Sequence, residues 1–129
     1  MKLDELSNII IGLAIKIHRR LGPGLLESVY QAALAYELQN AKIPFEKEKG
    51  LPIHYGNILL DIGYRCDFLV DDQIIVECKS VKKTTEIDQA QIINYLKLSD
   101  KRVGLLINFN VSRLKEGLKR YVNNYGEND

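Results

Sequence analysis

A short apolar segment near the end of the chain restricts the possible folds most strongly. The segment KRVGLLINF, residues 101–109, is almost continuously apolar, which is typical of a strand buried on both faces. Residues 85–100 before it have helical spacing, and the strand-like segment QIIVECKSV, residues 73–81, precedes that helix. A helix between two such strands predicts a right-handed crossover that makes the strands parallel neighbours. The sequence therefore predicts an α/β fold.

The first part of the chain predicts two helices. Apolar residues recur at steps of three and four from Leu3 to Leu21, and the breaker LGPG, residues 21–24, ends that helix. A second helix is expected from about Leu25 to about Ala41. Its predicted buried side consists of Leu26, Val29, Ala33, Tyr36 and Leu38.

The middle of the chain predicts three strands. FEKEKGLPIHYGN and ILLDIGYRCDFLV are rich in β-branched and aromatic residues, with turns expected at residues 55–57 and 71–73. Together with QIIVECKSV they predict a three-strand antiparallel meander, to which the apolar strand adds in parallel after the crossover helix.

The last part of the chain predicts two more helices on either side of the apolar strand. The helix over residues 85–100 is expected to begin after Thr84 or Thr85 as its N-cap. The segment SRLKEGLKRYVNN is expected to form a closing helix capped by Ser112. The predicted order of elements is therefore α-α-β-β-β-α-β-α.

Composition excludes several classes of protein. The chain has 129 residues, which predicts a single domain over residues 1–129. Its 18 Lys and Arg nearly balance 17 Asp and Glu, so net charge gives no general attraction to nucleic acid or membrane. Two cysteines do not make a disulfide scaffold, and no apolar run approaches the roughly 20 residues of a membrane span. The N-terminus does not read as a signal peptide, so we expect a soluble cytoplasmic protein with no membrane partner.

Three charged residues in the predicted hairpin are expected to share one face. With a three-residue loop, Val70 pairs with Ile74, and counting back along both strands places Asp67 directly opposite Glu77. Lys79 lies on the same face as Glu77, because side chains alternate along a strand. A two-residue loop would move Asp67 to the other face, so this arrangement depends on the register.

Two carboxylates beside a lysine are suited to metal-dependent chemistry. Mg²⁺ prefers carboxylate oxygens, and it usually binds through one or two carboxylates together with water and phosphate. The alternative interpretation is ordinary charge alternation, with Glu77 and Lys79 facing solvent. The same register places Cys66 opposite Cys78 on the other face, where we expect two buried thiols.

Two further positions carry weaker signals. Gln91 and Tyr95 lie four residues apart on the crossover helix, so they share a face that could contact a nucleic-acid backbone or support the carboxylates. Packing in the core is the alternative for Tyr95. Glu27 lies in the first turn of the second helix, where an acid also favours the helix dipole. His18 lies beside the apolar side of the first helix, and its role stays open.

The combined motifs resemble those of the PD-(D/E)XK nuclease superfamily. Asp67, nine intervening residues and then ECK, residues 77–79, match its catalytic motif, while Cys66 stands where the superfamily has Pro. QIINY, residues 91–95, resembles the Q-x-x-x-Y motif of the RecB-type branch. GLLESVY, residues 24–30, resembles the signature of the bacterial GxxExxY family, and the resemblance covers nearly the whole chain.

The resemblance implies a restriction-endonuclease-like core and a role for each motif residue. Asp67 and Glu77 would bind Mg²⁺ or Mn²⁺, and Cys78 would complete the coordination through its backbone carbonyl. Lys79 would position or activate water, and Glu27 would act as an accessory acid.

The resemblance also implies a substrate. Gln91 and Tyr95 would shape the site or contact the substrate backbone, and the activity would be hydrolysis of phosphodiester bonds in DNA, with RNA left open. The absence of an added recognition module points to low sequence specificity or to a protein partner that supplies targeting. A binding or assembly domain that keeps the nuclease fold without catalysis is the competing hypothesis. A basic rim for phosphates could come from Lys82, Lys83, Arg113, Lys115, Lys119 and Arg120.

Overall fold

The computed structural model describes residues 1–61 and 65–123. Four helices and seven strands follow one another along the described chain. In order, these are α1 (Leu3–Leu21), α2 (Glu27–Asn40), β1 (Phe45–Gly50), β2 (Ile53–Tyr55), β3 (Ile58–Leu60), β4 (Arg65–Val70), β5 (Ile74–Lys79), α3 (Glu86–Ser99), β6 (Val103–Asn108), α4 (Leu114–Gly117) and β7 (Leu118–Val122).

A five-stranded mixed sheet forms the centre of the molecule. Its strand order is β1-β4-β5-β6-β7, and only β5 and β6 are parallel. Helices α1 and α2 pack on one face of the sheet, and α3 packs on the other. The structure confirms the predicted α/β fold, its antiparallel meander β1-β4-β5 and the parallel strand after the crossover helix.

Helix α1 matches its prediction at both ends. It carries acids in its first turn and bases in its last turn, and both sets of charges interact favourably with the helix dipole. The stripe Leu6, Ile10, Ala14 and Ile17 is buried against the sheet. Although α1 is the longest helix that the structure describes, neither it nor any other described helix is long and apolar enough to cross a membrane.

A small hairpin, β2-β3, is inserted between the first two strands of the meander. The predicted turn at residues 55–57 does reverse the chain, but it joins β2 to β3 in a separate two-stranded sheet. Strand β1 ends at Gly50, directly before Leu51 and Pro52, and a proline has no N–H with which to continue the ladder. Residues 62–64 of the predicted second strand lie outside the described residues.

The predicted closing helix is wrong for most of its length. Only Leu114–Gly117 is helical, its N-cap is Arg113 rather than Ser112, and Leu118–Val122 forms β7 against β6. The segment forms a strand because the main-chain groups along the second edge of β6 would otherwise be unpaired. This tertiary pairing overrides a weak local helix propensity. Residue 124 of the predicted helix lies outside the described residues.

Helix α2 buries only part of its predicted side: Leu38 is buried as expected, while the other four predicted residues are exposed or half-buried. Leu26 is 74% exposed and Tyr36 is 60% exposed. The residues that are buried are Tyr30, Leu34, Glu37 and Leu38. The carboxylate of Glu37 is tolerated there because Lys16 Nζ lies 3.0 Å from its Oε1. Apolar residues occur on several faces of this helix. Their periodicity therefore did not identify the side that faces the sheet.

Candidate functional site

Strands β4 and β5 separate where the acidic residues begin. The paired register runs from Val70 opposite Ile74 to Phe68 opposite Val76, which confirms the predicted register of the hairpin. Beyond those pairs a side chain takes over the main-chain hydrogen bond, since the N–H of Cys78 donates to Asp67 Oδ2 at 2.8 Å.

A second hydrogen bond crosses the same gap in the opposite direction. The main-chain N–H of Asp67 donates to Glu77 Oε1 at 3.4 Å. Each carboxylate is therefore held by the backbone of the facing strand. Such bonds favour the charged form and fix the direction in which the remaining oxygen points.

The charged residues meet in a cavity of about 200 Å³ between the sheet and α3. Arg65 and Asp67 come from β4, Glu77 and Lys79 come from β5, and α3 contributes the remaining polar side chains. The polar and charged residues that line it are Arg65, Asp67, Glu77, Lys79, Asp88, Gln91 and Tyr95. The structure therefore brings Asp67, Glu77 and Lys79 onto one face, together with both candidate residues of the crossover helix.

Burial makes the charged form of Glu77 unfavourable. Only 8% of Glu77 is exposed, and this desolvation raises its pKa from 4.5 to about 7. The N–H of Asp67 and the ammonium of Lys79 lower the pKa of Glu77, while the negative charge of Glu27 raises it. Desolvation also raises the pKa of Asp67, again with Glu27 adding to the effect. Three carboxylates of Asp67, Glu77 and Asp88 thus line the cavity against the two cations of Lys79 and Arg65.

The ammonium of Lys79 lies beside the start of α3. Its Nζ is 3.9 Å from Asp88 Oδ1. Asp88 is fixed by a capping box, in which it accepts a hydrogen bond from the Thr85 N–H and its own N–H donates to Thr85 Oγ1. The structure confirms Thr85 as the N-cap of α3, and the same cap holds the carboxylate that faces Lys79.

Glu27 reaches the end of β5 from the opposite face of the sheet. Its Oε2 accepts a hydrogen bond from the Ser80 N–H at 3.4 Å, and Ser80 Oγ donates to the carbonyl of Leu25. The phenol of Tyr30 donates to the Gly22 carbonyl at 2.6 Å and accepts from the Leu25 N–H at 3.2 Å. The GLLESVY segment therefore forms a braced turn that presents Glu27 to the strand carrying Glu77 and Lys79.

Three residues near the carboxylates were not identified from the sequence. The side chain of Gln31 hydrogen-bonds to Asp67 and lowers the pKa of that carboxyl group. Its spacing of four from Glu27 was an available signal, because such residues share a helix face. Asp88 lies in the first turn of α3, where an acid is common whatever its function, and Arg65 gave no signal at all.

The crossover helix and the cysteines take the following positions. Gln91 and Tyr95 both line the cavity, and burial raises the pKa of the Tyr95 phenol, with Glu77 as a second cause. Cys66 and Cys78 are free, buried thiols, and burial raises the pKa of Cys66 to about 11. In a strand the N–H and the carbonyl of one residue face the same neighbour, so the Cys78 carbonyl also faces Asp67.

His18 does not belong to this cavity. It is buried under α4 on the other face of the sheet, and its Nε2 lies 2.7 Å from the carbonyl of Val111. Since a carbonyl only accepts, Nε2 is the protonated ring nitrogen in this contact. The histidine holds the segment that follows β6.

The donor set fits a hard divalent cation. Among residues 1–61 and 65–123 no three side chains of His, Cys, Asp or Glu are grouped as a complete metal cage. Mg²⁺ does not require such a cage, because it usually keeps several waters and binds one or two carboxylates. Asp67 and Glu77 supply that pair, and neither a thiol nor an imidazole lines the cavity to favour Zn²⁺.

These features are consistent with a restriction-endonuclease-like α/β fold that has an acidic cavity at the end of its central hairpin. The family model of the PD-(D/E)XK nuclease superfamily matches residues 4–121, and the chain belongs to that superfamily. No match was found among curated proteins, and none was found among solved structures. Membership indicates a nuclease that interacts with nucleic acid, and such nucleases generally use divalent metals.

Proposed function

We propose that the protein is a Mg²⁺- or Mn²⁺-dependent nuclease that hydrolyses phosphodiester bonds in DNA. One observation carries the proposal: Asp67 and Glu77 interrupt the β4–β5 ladder and are held by main-chain N–H groups beside Lys79. Stability alone would favour apolar residues at this place, since an unpaired buried carboxylate is costly. The pair is accounted for when a cation offsets its charge.

Each residue has a separate task in this proposal. Asp67 and Glu77 bind the metal, and the Cys78 carbonyl is the third ligand. The chemistry that the metal supplies is polarisation of a phosphoryl oxygen and a lower pKa for a bound water. Lys79 orients the attacking water, and Glu27 holds the end of β5 and adds negative charge next to the metal.

The remaining motif residues are assigned to the substrate. Gln91 and Tyr95 line the same cavity from α3, where an amide and a phenol can hydrogen-bond to the backbone of the nucleic acid. We further assign the chain to the GxxExxY family within the RecB-type branch. GLLESVY in its braced turn and QIINY along the cavity support this assignment.

Calorimetry and cleavage assays test the proposal together. Mg²⁺ and Mn²⁺ are titrated into the wild type and into Asp67→Asn and Glu77→Gln, with Asp61→Asn as an exposed control. The same proteins, together with Lys79→Gln, are incubated with linear, nicked and single-stranded DNA and with RNA. We expect the wild type and the control to bind metal and cleave DNA, and both site variants to lose metal binding and cleavage. Lys79→Gln is expected to keep metal binding and to lose cleavage.

Two outcomes would contradict the proposal. If the wild type binds no metal with or without nucleic acid, Asp67 and Glu77 are not ligands. If it binds DNA and metal but cleaves none of the substrates, the competing hypothesis of a non-catalytic domain is supported. Cleavage of RNA alone would keep the chemistry and change the substrate.

A further inference from the structure

A groove of about 650 Å³ lies beside the candidate site. It is formed by the loop after β5, the first turn of α3, the end of β6 and the chain around α4 and β7. Its charged lining residues are Lys82, Lys83, Lys119, Glu86 and Glu116. It is about three times as large as the cavity that holds the two carboxylates.

The groove adjoins the cavity along β6. Leu106 lines the cavity and Asn108 lines the groove. The two residues share a face of the sheet and lie about 7 Å apart, because a strand rises roughly 3.3 Å per residue. The first turn of α3 has the same arrangement, since Asp88 faces the cavity and Glu86 faces the groove. A ligand chain held in one could therefore continue into the other.

The loop that carries two of the lysines is anchored. The side chain of Asn108, only 3% exposed, accepts from the Val81 N–H at 3.1 Å and donates to the Val81 carbonyl at 2.9 Å. Asn110 Nδ2 donates to that same carbonyl at 3.3 Å. Because both main-chain groups of Val81 are held, the positions of Lys82 and Lys83 are fixed at the backbone. A fixed backbone reduces the entropy that is lost when their ammonium groups bind an anion.

Only some of the basic residues that the sequence suggested for phosphate binding line this groove. Lys82, Lys83 and Lys119 line the groove. Arg120 points to the other face of the sheet, where its Nη2 lies 2.9 Å from Asp4 Oδ1. The basic side chains of the groove are thus all lysines, which bind phosphate as compact point charges.

We propose that this groove binds the phosphodiester backbone of the nucleic acid on one side of the bond that is cleaved. The inference rests on the proposed function, because it assigns a neighbouring subsite to the same substrate. The three lysines contact phosphates. Glu86 and Glu116 weaken the attraction of the groove for anions, so that binding depends on all three lysines. The contacts read no base, so this subsite binds without sequence preference.

Binding without metal tests the groove separately from catalysis. Fluorescence anisotropy is measured with a labelled single-stranded DNA and its duplex in EDTA, at several salt concentrations. The variant replaces Lys82, Lys83 and Lys119 with Gln. A matched control replaces three exposed lysines elsewhere, Lys2, Lys42 and Lys97, and so has the same net charge. Urea unfolding confirms that both triple variants are folded.

We expect the groove variant to raise Kd by at least about tenfold at 100 mM salt and to lower the salt slope by roughly 2 to 3. The control should change Kd by less than about twofold, and Glu116→Gln should tighten binding because it removes a repelling charge. Equal weakening in both triple variants would overturn the proposal, because it would show attraction to net charge alone. No weakening in the groove variant would overturn it as well.

The two proposals fail in different ways. If the wild type binds DNA through the three lysines but never cleaves it, the groove stands and the nuclease proposal falls. If the wild type cleaves DNA and the groove variant binds and cleaves equally well, the nuclease proposal stands and the groove falls.

Discussion

Glu77 is a carboxyl group whose folded environment opposes its ionisation. Burial raises its pKa from 4.5 to about 7, so between these values the folded protein keeps a proton that the unfolded chain has lost. The resulting stability is fully present below pH 4.5 and disappears as the pH rises through 7. Above that range the folded protein holds a buried charge at a cost of about 3 kcal/mol at most, since one pKa unit equals about 1.4 kcal/mol.

Glu77→Gln should therefore stabilise the metal-free protein at high pH. The amide oxygen can still accept the Asp67 N–H, and no charge remains to be desolvated. We expect the free energy of unfolding in EDTA to rise by roughly 1 to 3 kcal/mol at pH 8 and to change by less than about 0.5 kcal/mol at pH 4.5. Urea unfolding at both pH values measures the difference, with Glu116→Gln as the exposed control. A variant that loses stability at pH 8 would contradict this explanation.

Tyr30 should stabilise the turn before α2 through its hydroxyl group. The residue is fully buried and its ring stacks on Phe109, so Tyr30→Phe keeps the packing and removes only the hydroxyl. The change leaves the Gly22 carbonyl and the Leu25 N–H without that partner, and we expect a loss of roughly 1 to 2 kcal/mol. Thermal and urea unfolding measure it. Tyr36→Phe, at an exposed position of the same helix, should change stability by less than about 0.5 kcal/mol.

At the residue scale, most of the residues of the site could be predicted from the sequence, but their burial could not. Strand alternation and one loop length were enough to place Asp67 opposite Glu77, and a helical spacing of four was enough to pair Gln91 with Tyr95. The contact between Gln31 and Asp67 depends on how α2 lies across the sheet. No local pattern encodes that packing, and the burial that shifts the pKa of Glu77 comes from the same packing.

The capping box of α3 joins helix stability to the site. Thr85→Ala removes the hydroxyl that accepts from the Asp88 N–H, and we expect a loss of about 1 kcal/mol. The neighbouring Thr84→Ala is the matched control and should change stability by less than about 0.5 kcal/mol. Urea unfolding compares the two variants. Equal losses would show that Thr85 has no special role as the cap.

Two glycines should respond oppositely to alanine. A Cβ at Gly117 would overlap the backbone carbonyl oxygen of Asn108, so Gly117→Ala must displace α4 or β6. We expect a loss of about 2 kcal/mol or more from this overpacking. Gly12 lies in the exposed interior of α1 with no atom near its added Cβ, so Gly12→Ala should gain roughly 0.5 to 1 kcal/mol. Circular dichroism melts measure both, and a stable Gly117→Ala variant would contradict the close approach.

The elements that the sequence predicted correctly are those whose local and tertiary preferences agree. Helices α1 and α3 have clear caps or a single apolar face, and β6 is apolar throughout. The segment that became α4 and β7 has helix-forming residues beside a glycine. Its outcome depends on pairing with the open edge of β6, which the pattern within the segment does not encode. The small β2-β3 hairpin was missed because the sequence of its turn does not show which pair of strands the turn connects.

At the scale of the whole molecule, the sheet separates two kinds of surface. The α3 side carries the acidic cavity and the basic groove, while the α1–α2 side carries the main apolar core. Glu27 is the exception, because it projects from the α2 side past the end of β5. The sequence predicted most of the order of elements, but it could not predict this crossing, which depends on the angle between α2 and the sheet.

The contact between Glu27 and Ser80 joins residues 53 positions apart, and the lining of the cavity includes Leu106 of β6 and side chains of α3. During synthesis Glu27 leaves the ribosome before Asp67 and Glu77, and α3 and β6 follow all three. A fragment that ends before β6 therefore lacks one wall of the cavity, and the proposed site can be complete only in a chain that contains both α3 and β6.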